Sequence, residues 1–360
     1  MTEACRHFVP GPVWVRPEIL DSMKGPMIGH RSKDFRDLFV ELEAKLRRLF
    51  NTEQHVFVAT CSGTGLMEGA LLNTVPRSVL VTTVGAFSER WESIASHLGL
   101  EVDHLHQEWG QAVDQGGLAD RFVGRRHHYD AVTITHNETS TGLMNSLETL
   151  ARTVRDGARD TLVLVDAVSS LGSAPIRFDD WGLDVCLAST QKGMGLPPGL
   201  TVFAVSERAM ERARAQTYRG TYFDFVDYEK NARERQSTPF TPAIPLIYAL
   251  DAQLDYILDE ETLERRWSRH VEMRDLTIAR CSSFARLMVE PQFASPSVST
   301  FEPTNGMTAA EILAFMRENG FALGGGYGEW KDRTFRIGHM GDMSVNDLSV
   351  MLDTLAKVTG

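Results

Sequence analysis

The stretch TLVLVDAVSSLGSAPIRFDDWGLDVCLASTQKGMGLPPGL, residues 161–200, decides how this chain folds. It contains two short apolar runs, TLVLV before Asp166 and LDVCLAS before Lys192. Runs that are apolar throughout, rather than alternating, read as strands buried on both faces of a parallel sheet. Asp166 closes the first run and Lys192 comes after the second, so an acid and an amine are delivered to one edge of that sheet. Their 26-residue separation has room for a crossover between the two strands.

On either side of this stretch, strands and helices alternate from about 50 to 206. FRDLFVELEAKLRRLFN (35–51) carries apolar residues at helical spacing. HVFVAT (55–60), SVLVTTV (78–84), AVTIT (131–135) and GLTVFAVS (199–206) read as further strands, with helices at LMEGALLNTV (66–75), out of GAFSERWESIASHLG, and over NSLETLARTVRDGA. The alternation predicts an α/β fold with a mainly parallel sheet and helices on both faces. The charged stretch 207–236 reads as a crossing segment or surface loop. Further on come a helical region over roughly 242–290, strands at SPSVSTFEP (295–303) and FRIGHMG (335–341), and helices at AAEILAFMRENG and NDLSVMLDTLAKV. The expected division is an irregular N-terminal segment (1–17), a large domain (18–249) and a small α+β domain (250–360).

Composition narrows the function. The chain has 360 residues, 42% of them hydrophobic, which is enough for a large core. The net charge of −11, with no basic block, argues against nucleic acid as a partner. No uncharged apolar run is long enough for a membrane span. The four cysteines are scattered without metal-ligand spacing, which predicts a reducing, cytoplasmic setting and no metal.

An amine and a carboxyl at one sheet edge suit pyridoxal 5'-phosphate chemistry, the amine for the aldehyde and the acid for the ring nitrogen. Ser189, Thr190 and Gln191 precede Lys192, and burial there disfavours the protonated amine. SGTG (62–65) lies between a strand and a helix, where backbone N–H groups and hydroxyls can face a phosphate. It matches neither a dinucleotide nor a nucleotide-phosphate fingerprint. Phe87 ends a strand, either stacked on a planar ring or packed in the core. HNETSTG (136–142) offers Asn137 or Thr139 to a cofactor. His136 and Glu138 lack the further ligands of a metal site, and His136 and His339 also suit ordinary packing. Arg336, on a face of its strand different from that of Phe335 and Ile337, can clamp a carboxylate. Arg31, Arg219 and Arg333 are rivals for that task.

Taken together, PGPV (10–13), HRS (30–32), SGTG, HNETSTG, VDAVSSLG (165–172), STQKG (189–193), STPFTP (237–242) and FRIGHMG occur in one order along nearly the whole chain. In this the chain resembles the class V aminotransferases of pyridoxal-phosphate fold type I, in the branch acting on alanine or serine with glyoxylate or pyruvate. The resemblance implies a seven-stranded sheet, a homodimer, and transfer of an amino group from a small amino acid to a small 2-oxo acid by a ping-pong Schiff-base mechanism. It makes Lys192 the Schiff-base lysine and Asp166 the partner of the pyridine nitrogen. Ser62, Gly63, Thr64 and Gln191 fall at the phosphate, Phe87 and Val168 on the two ring faces, and Thr139 near the ring oxygen. Arg336 matches the substrate-carboxylate arginine. Thr241 matches a threonine that reaches the phosphate of the other subunit, and Thr238 stands where some relatives carry a tyrosine. Alternatives on this scaffold are a transaminase for phosphoserine, aspartate or an aminophosphonate, and a lyase or decarboxylase. A desulfurase would need a mobile thiol, and Cys281 reads as helical.

Overall fold

The computed structural model describes residues 5–123 and 129–359. Residues 1–4 of the expected N-terminal segment lie outside them. In chain order the strands are β1 (Arg6–Phe8), β2 (His55–Ala59), β3 (Ser78–Thr83), β4 (Glu101–His106), β5 (Ala131–Thr135), β6 (Asn137–Glu138) and β7 (Leu143–Met144). They continue with β8 (Leu162–Asp166), β9 (Val185–Ser189), β10 (Thr201–Val205), β11 (Ala285–Leu287), β12 (Val298–Pro303), β13 (Phe321–Gly325) and β14 (Phe335–Gly338).

The large sheet has seven strands in the order β2-β10-β9-β8-β5-β3-β4. Only β10 runs antiparallel, against both β2 and β9. The stretch 161–200 supplies its centre. Leu162–Asp166 and Val185–Ser189 are buried at every residue, as strands covered on both faces must be. They pair in parallel, with Asp166 opposite Leu187.

Two apolar layers cover the sheet. One includes the helix Lys33–Phe50, which buries Phe35, Phe39, Leu42, Leu46, Leu49 and Phe50. Burial of each such side chain contributes about 1.5–3 kcal/mol. Ser32 starts this helix by accepting from the Phe35 N–H, and Asn51 ends it in the left-handed conformation. The other layer packs the helix Gly63–Thr74, Trp91, Phe203 and Phe225 on the opposite face.

Three features depart from expectation. β4 was not foreseen, because EVDHLH is an edge strand whose residues are mostly half-buried or exposed, leaving little apolar signal. The stretch 207–236 is not a loop but holds the helices Glu207–Ala215 and Phe225–Arg235. In the first, only Ala209, Met210 and Ala213 are buried, so charge hides the periodicity. The N-terminal segment is not wholly irregular, since β1 pairs in parallel with β13.

β1 belongs to a second sheet, ordered β1-β13-β14-β12-β11, with a core of its own around Phe284, Phe301, Phe335 and Leu348. The residue 249/250 boundary falls inside the helix Ile244–Asp255. A buried ion network joins the two sheets. Arg266 donates to the carbonyls of Gly172 (3.1 Å) and Gly193 (2.8 Å) and pairs with Asp342 at 2.9 Å. Among the described residues no helix is long and apolar enough to cross a membrane.

Candidate active site

The parallel strands β2, β3, β8 and β9 all point their C-terminal ends at one sheet edge, where open α/β sheets bind ligands. The residues just beyond these strand ends line one cavity of about 220 Å³. β2 leads to Ser62, Gly63 and Thr64, and β3 to Phe87 and Arg90. β8 delivers Asp166 and Val168, and β9 delivers Ser189, Gln191 and Lys192. Gly11, Pro12 and Met67 complete the wall.

Lys192 donates from Nζ to the Pro10 carbonyl. Burial pushes its amine down to about 8, the Arg336 charge adds to that, and Asp166 opposes it. Asp166 is buried and its carboxyl is pushed up to about 7 by desolvation, against a hydrogen bond from the Val168 N–H at 2.7 Å.

The helix Gly63–Thr74 begins at Ser62, whose side chain makes no capping bond, unlike Ser32, Ser206, Thr308 and Ser344 at other helix starts. Among the described residues the N–H groups of Gly63 and Thr64 meet no acceptor, while the Gly65 N–H bonds the Ser62 carbonyl at 3.0 Å, so two donors remain available to an anion and the helix dipole favours one. Arg90 adds charge there, donating to Thr64 Oγ1 at 2.8 Å and lying 4.9 Å from the Phe87 ring centre. The sequence reading missed Arg90. The available signal was its position three residues after Phe87 at the start of a helix, on the same face.

Phe87 is positioned by Glu138. This fully buried carboxylate accepts from the N–H groups of Phe87 (3.1 Å) and Ser88 (2.8 Å) and from Ser140 Oγ at 2.6 Å. It anchors the start of the helix Ser88–His97 rather than facing a metal with His136. His136 packs edge-on to Trp181 and bonds Ser170, and His339 bonds Ser299 and the Pro296 carbonyl.

Arg336 approaches from the second sheet. Its Nε donates to the Gly325 carbonyl at 2.8 Å and its Nη1 to the Thr139 carbonyl at 3.1 Å. Nη2 has no hydrogen bond among the described residues. Burial lowers this guanidinium to about 10. The rivals are engaged elsewhere. Arg31 holds Ser237 and the carbonyls of Thr238 and Pro239, Arg219 holds Asp224, and Arg333 holds Glu302.

Three expected residues stand apart from the cavity wall: Arg336, Thr139 and Thr241. Thr139 donates its hydroxyl to Ser169 at 2.7 Å, so its carbonyl, not its hydroxyl, meets Arg336. Thr241 is exposed, on the loop pinned by Arg31, while the Thr238 hydroxyl is turned to the Phe240 carbonyl at 2.6 Å. Cys281 is buried at a helix end, which does not suit a mobile thiol.

This donor set fits pyridoxal phosphate: a deprotonatable amine, a buried carboxyl, an aromatic ring and an uncapped helix start beside an arginine. Residues 21–328 match the class V aminotransferase family. The chain belongs to that family. It is a pyridoxal-phosphate-dependent transaminase of fold type I. The chain is 34% identical over 357 residues to a serine–glyoxylate aminotransferase of Methylorubrum extorquens, covering 96% of this chain and 88% of that protein. It is also 34% identical to an L-aspartate–glyoxylate aminotransferase of Paracoccus denitrificans, over 96% of this chain and 88% of that one. Among solved structures, an alanine–glyoxylate aminotransferase from Nostoc sp. superposes with a TM-score of 0.93 at 28% identity, covering 100% of this chain and 96% of that one.

Proposed function

We propose that this class V aminotransferase moves the amino group of a small amino acid, alanine or serine, to glyoxylate or pyruvate. The observation that carries this is the placing of Lys192 and Arg336 about one aromatic pair: Lys192 Nζ lies 5.9 Å from the Phe87 ring, Phe87 stacks on Tyr327 at 5.4 Å, and the Arg336 guanidinium lies 5.5 Å from the Tyr327 ring. A donor held by its carboxylate on Arg336 presents its amino group and α-carbon to Lys192. The named relatives act, by their names, on serine or aspartate with glyoxylate.

Bound pyridoxal phosphate supplies an aldehyde to the amine and an electron-withdrawing ring. The chain's residues do the rest. Ser62, Gly63, Thr64 and Gln191 hold the phosphate, with Arg90 adding charge. Phe87 and Val168 flank the ring, and Thr139 contributes beside it. Asp166 would accept from the protonated ring nitrogen, which would draw this carboxyl below the value that burial alone gives it. With the cofactor bound, Lys192, freed by the donor, would take the α-proton of the donor as base and return it as acid, while the amino group would stay with the cofactor between the two halves of the reaction. Water would supply the oxygen with which the donor leaves as its 2-oxo acid, and an incoming 2-oxo acid would take up the retained amino group, releasing water, with the proton transfers reversed.

Thr241, exposed in one chain, is assigned to the partner's phosphate across a homodimer interface. The four free cysteines fit a cytoplasmic setting. The division into a large domain and a small one, with β1 added to the second, puts Lys192 and Arg336 on different domains.

The test is product analysis of the cofactor-loaded protein with single amino acids, with and without glyoxylate or pyruvate. Stoichiometric glycine or alanine formed only when the oxo acid is present supports transamination. Donor consumption that continues without an oxo acid points instead to a lyase or decarboxylase.

A further inference from the structure

A donor fixed at Lys192 and Arg336 still has its side chain to place, and one aromatic ring, Tyr327, lies beside both Phe87 and Arg336. Tyr327 stacks on Phe87 with ring centres 5.4 Å apart at 23°, and the Arg336 guanidinium lies 5.5 Å from the same Tyr327 ring. The phenol therefore closes the space between the ring-flanking aromatic and the carboxylate clamp, and it is 39% exposed at the rim. The rest of the Arg336 surround is carbonyl oxygen, from Gly325 and Thr139. A second carboxylate beside Arg336 would meet two acceptors and an aromatic face. Arg90 is turned to Thr64.

The ring cannot swing away cheaply, because its turn is clamped. Gly328 has φ +50, and a Cβ on it would lie 2.3 Å from the Trp109 ring. Trp109 packs edge-on against Trp330 at 5.8 Å and donates from Nε1 to Glu89 at 2.8 Å. Glu89 lies on the helix that Phe87 opens. The turn carrying Tyr327 and the helix start carrying Phe87 are thus held together by two tryptophans.

We infer that Tyr327 is the specificity-determining residue of the donor pocket, restricting it to amino acids with small, uncharged side chains. This rests on the amino-donor reading above. The ring acts as a fixed wall against which a methyl or hydroxymethyl group packs, and longer, branched or anionic side chains collide with it or lose solvation against it.

The experiment measures kcat/KM for alanine, serine, aspartate, leucine and phenylalanine with glyoxylate, in the wild type and in Tyr327→Ala, Tyr327→Leu and Tyr327→Phe. Cofactor loading is checked in each by visible absorbance. The leucine-to-alanine ratio should rise about tenfold or more in Tyr327→Ala, less in Tyr327→Leu, and stay at the wild-type value in Tyr327→Phe. An unchanged ratio in the loaded Ala and Leu variants, or a wild type that prefers aspartate or leucine to alanine and serine, overturns the assignment. A loaded wild type that transfers no amino group from any of these donors contradicts the proposed function itself, which is a different failure.

Discussion

Gly11 lies against Lys192 so closely that a Cβ there would sit 2.5 Å from the lysine Cδ and 2.8 Å from its Cε. The N-terminal chain thus forms the wall behind the amine, and Pro10 accepts its hydrogen bond. Gly11 also has φ +95, where a side chain is strained. Gly11→Ala should displace the lysine. We expect weaker pyridoxal phosphate capture in an absorbance titration and a fall of about tenfold or more in kcat, with a stability cost of about 1–3 kcal/mol in the thermal transition.

The Lys192 amine, lowered to about 8, sets a pH dependence. Only the neutral amine attacks an aldehyde, and its fraction rises through the pKa. Cofactor capture by the apoprotein should accelerate about tenfold between pH 7 and 9 and then level off. A rate still climbing steeply to pH 10 would place the amine at an ordinary lysine value.

Asp166 carries a raised carboxyl, at about 7 against 3.8 when unfolded. The folded apoprotein therefore holds a proton that the unfolded chain releases over that interval. Its contribution to stability is fully present below about 4 and is lost as pH rises through about 7. Asp166→Asn removes the buried charge. Its apoprotein should melt higher than the wild type at pH 8, while turnover of the loaded variant falls by about 100-fold or more.

Arg336→Gln removes the carboxylate clamp and leaves the cofactor contacts in place. KM for amino acids should rise by about two orders of magnitude, with the visible spectrum retained. A KM within a factor of two of the wild type would remove Arg336 from the substrate site.

The central strands were legible because LVLVD and VCLAS are apolar at every position but their ends, and their company included both ionisable anchors. β4 was not, because an edge strand paired only to β3 carries too few apolar residues to signal itself. β1 escaped because three residues gain their strand character only from pairing with β13, 315 positions away at Arg6↔Phe321. Lys192, Asp166, Phe87 and the SGTG turn could be read locally, each placed just after a strand. Gly11 and Tyr327 could not, and Arg90 signalled only through its helical spacing from Phe87. Their importance comes from what the fold brings beside them: Thr64, Lys192, and the pair Phe87 and Arg336.

Lys192→Ala is the decisive variant. It should fold with the wild-type thermal transition to within a few degrees, yet lack the visible absorbance of lysine-bound cofactor and lose essentially all amino transfer from alanine or serine to glyoxylate. A Lys192→Ala protein with the wild-type spectrum and turnover would contradict the assignment of Lys192, and with it the site as described.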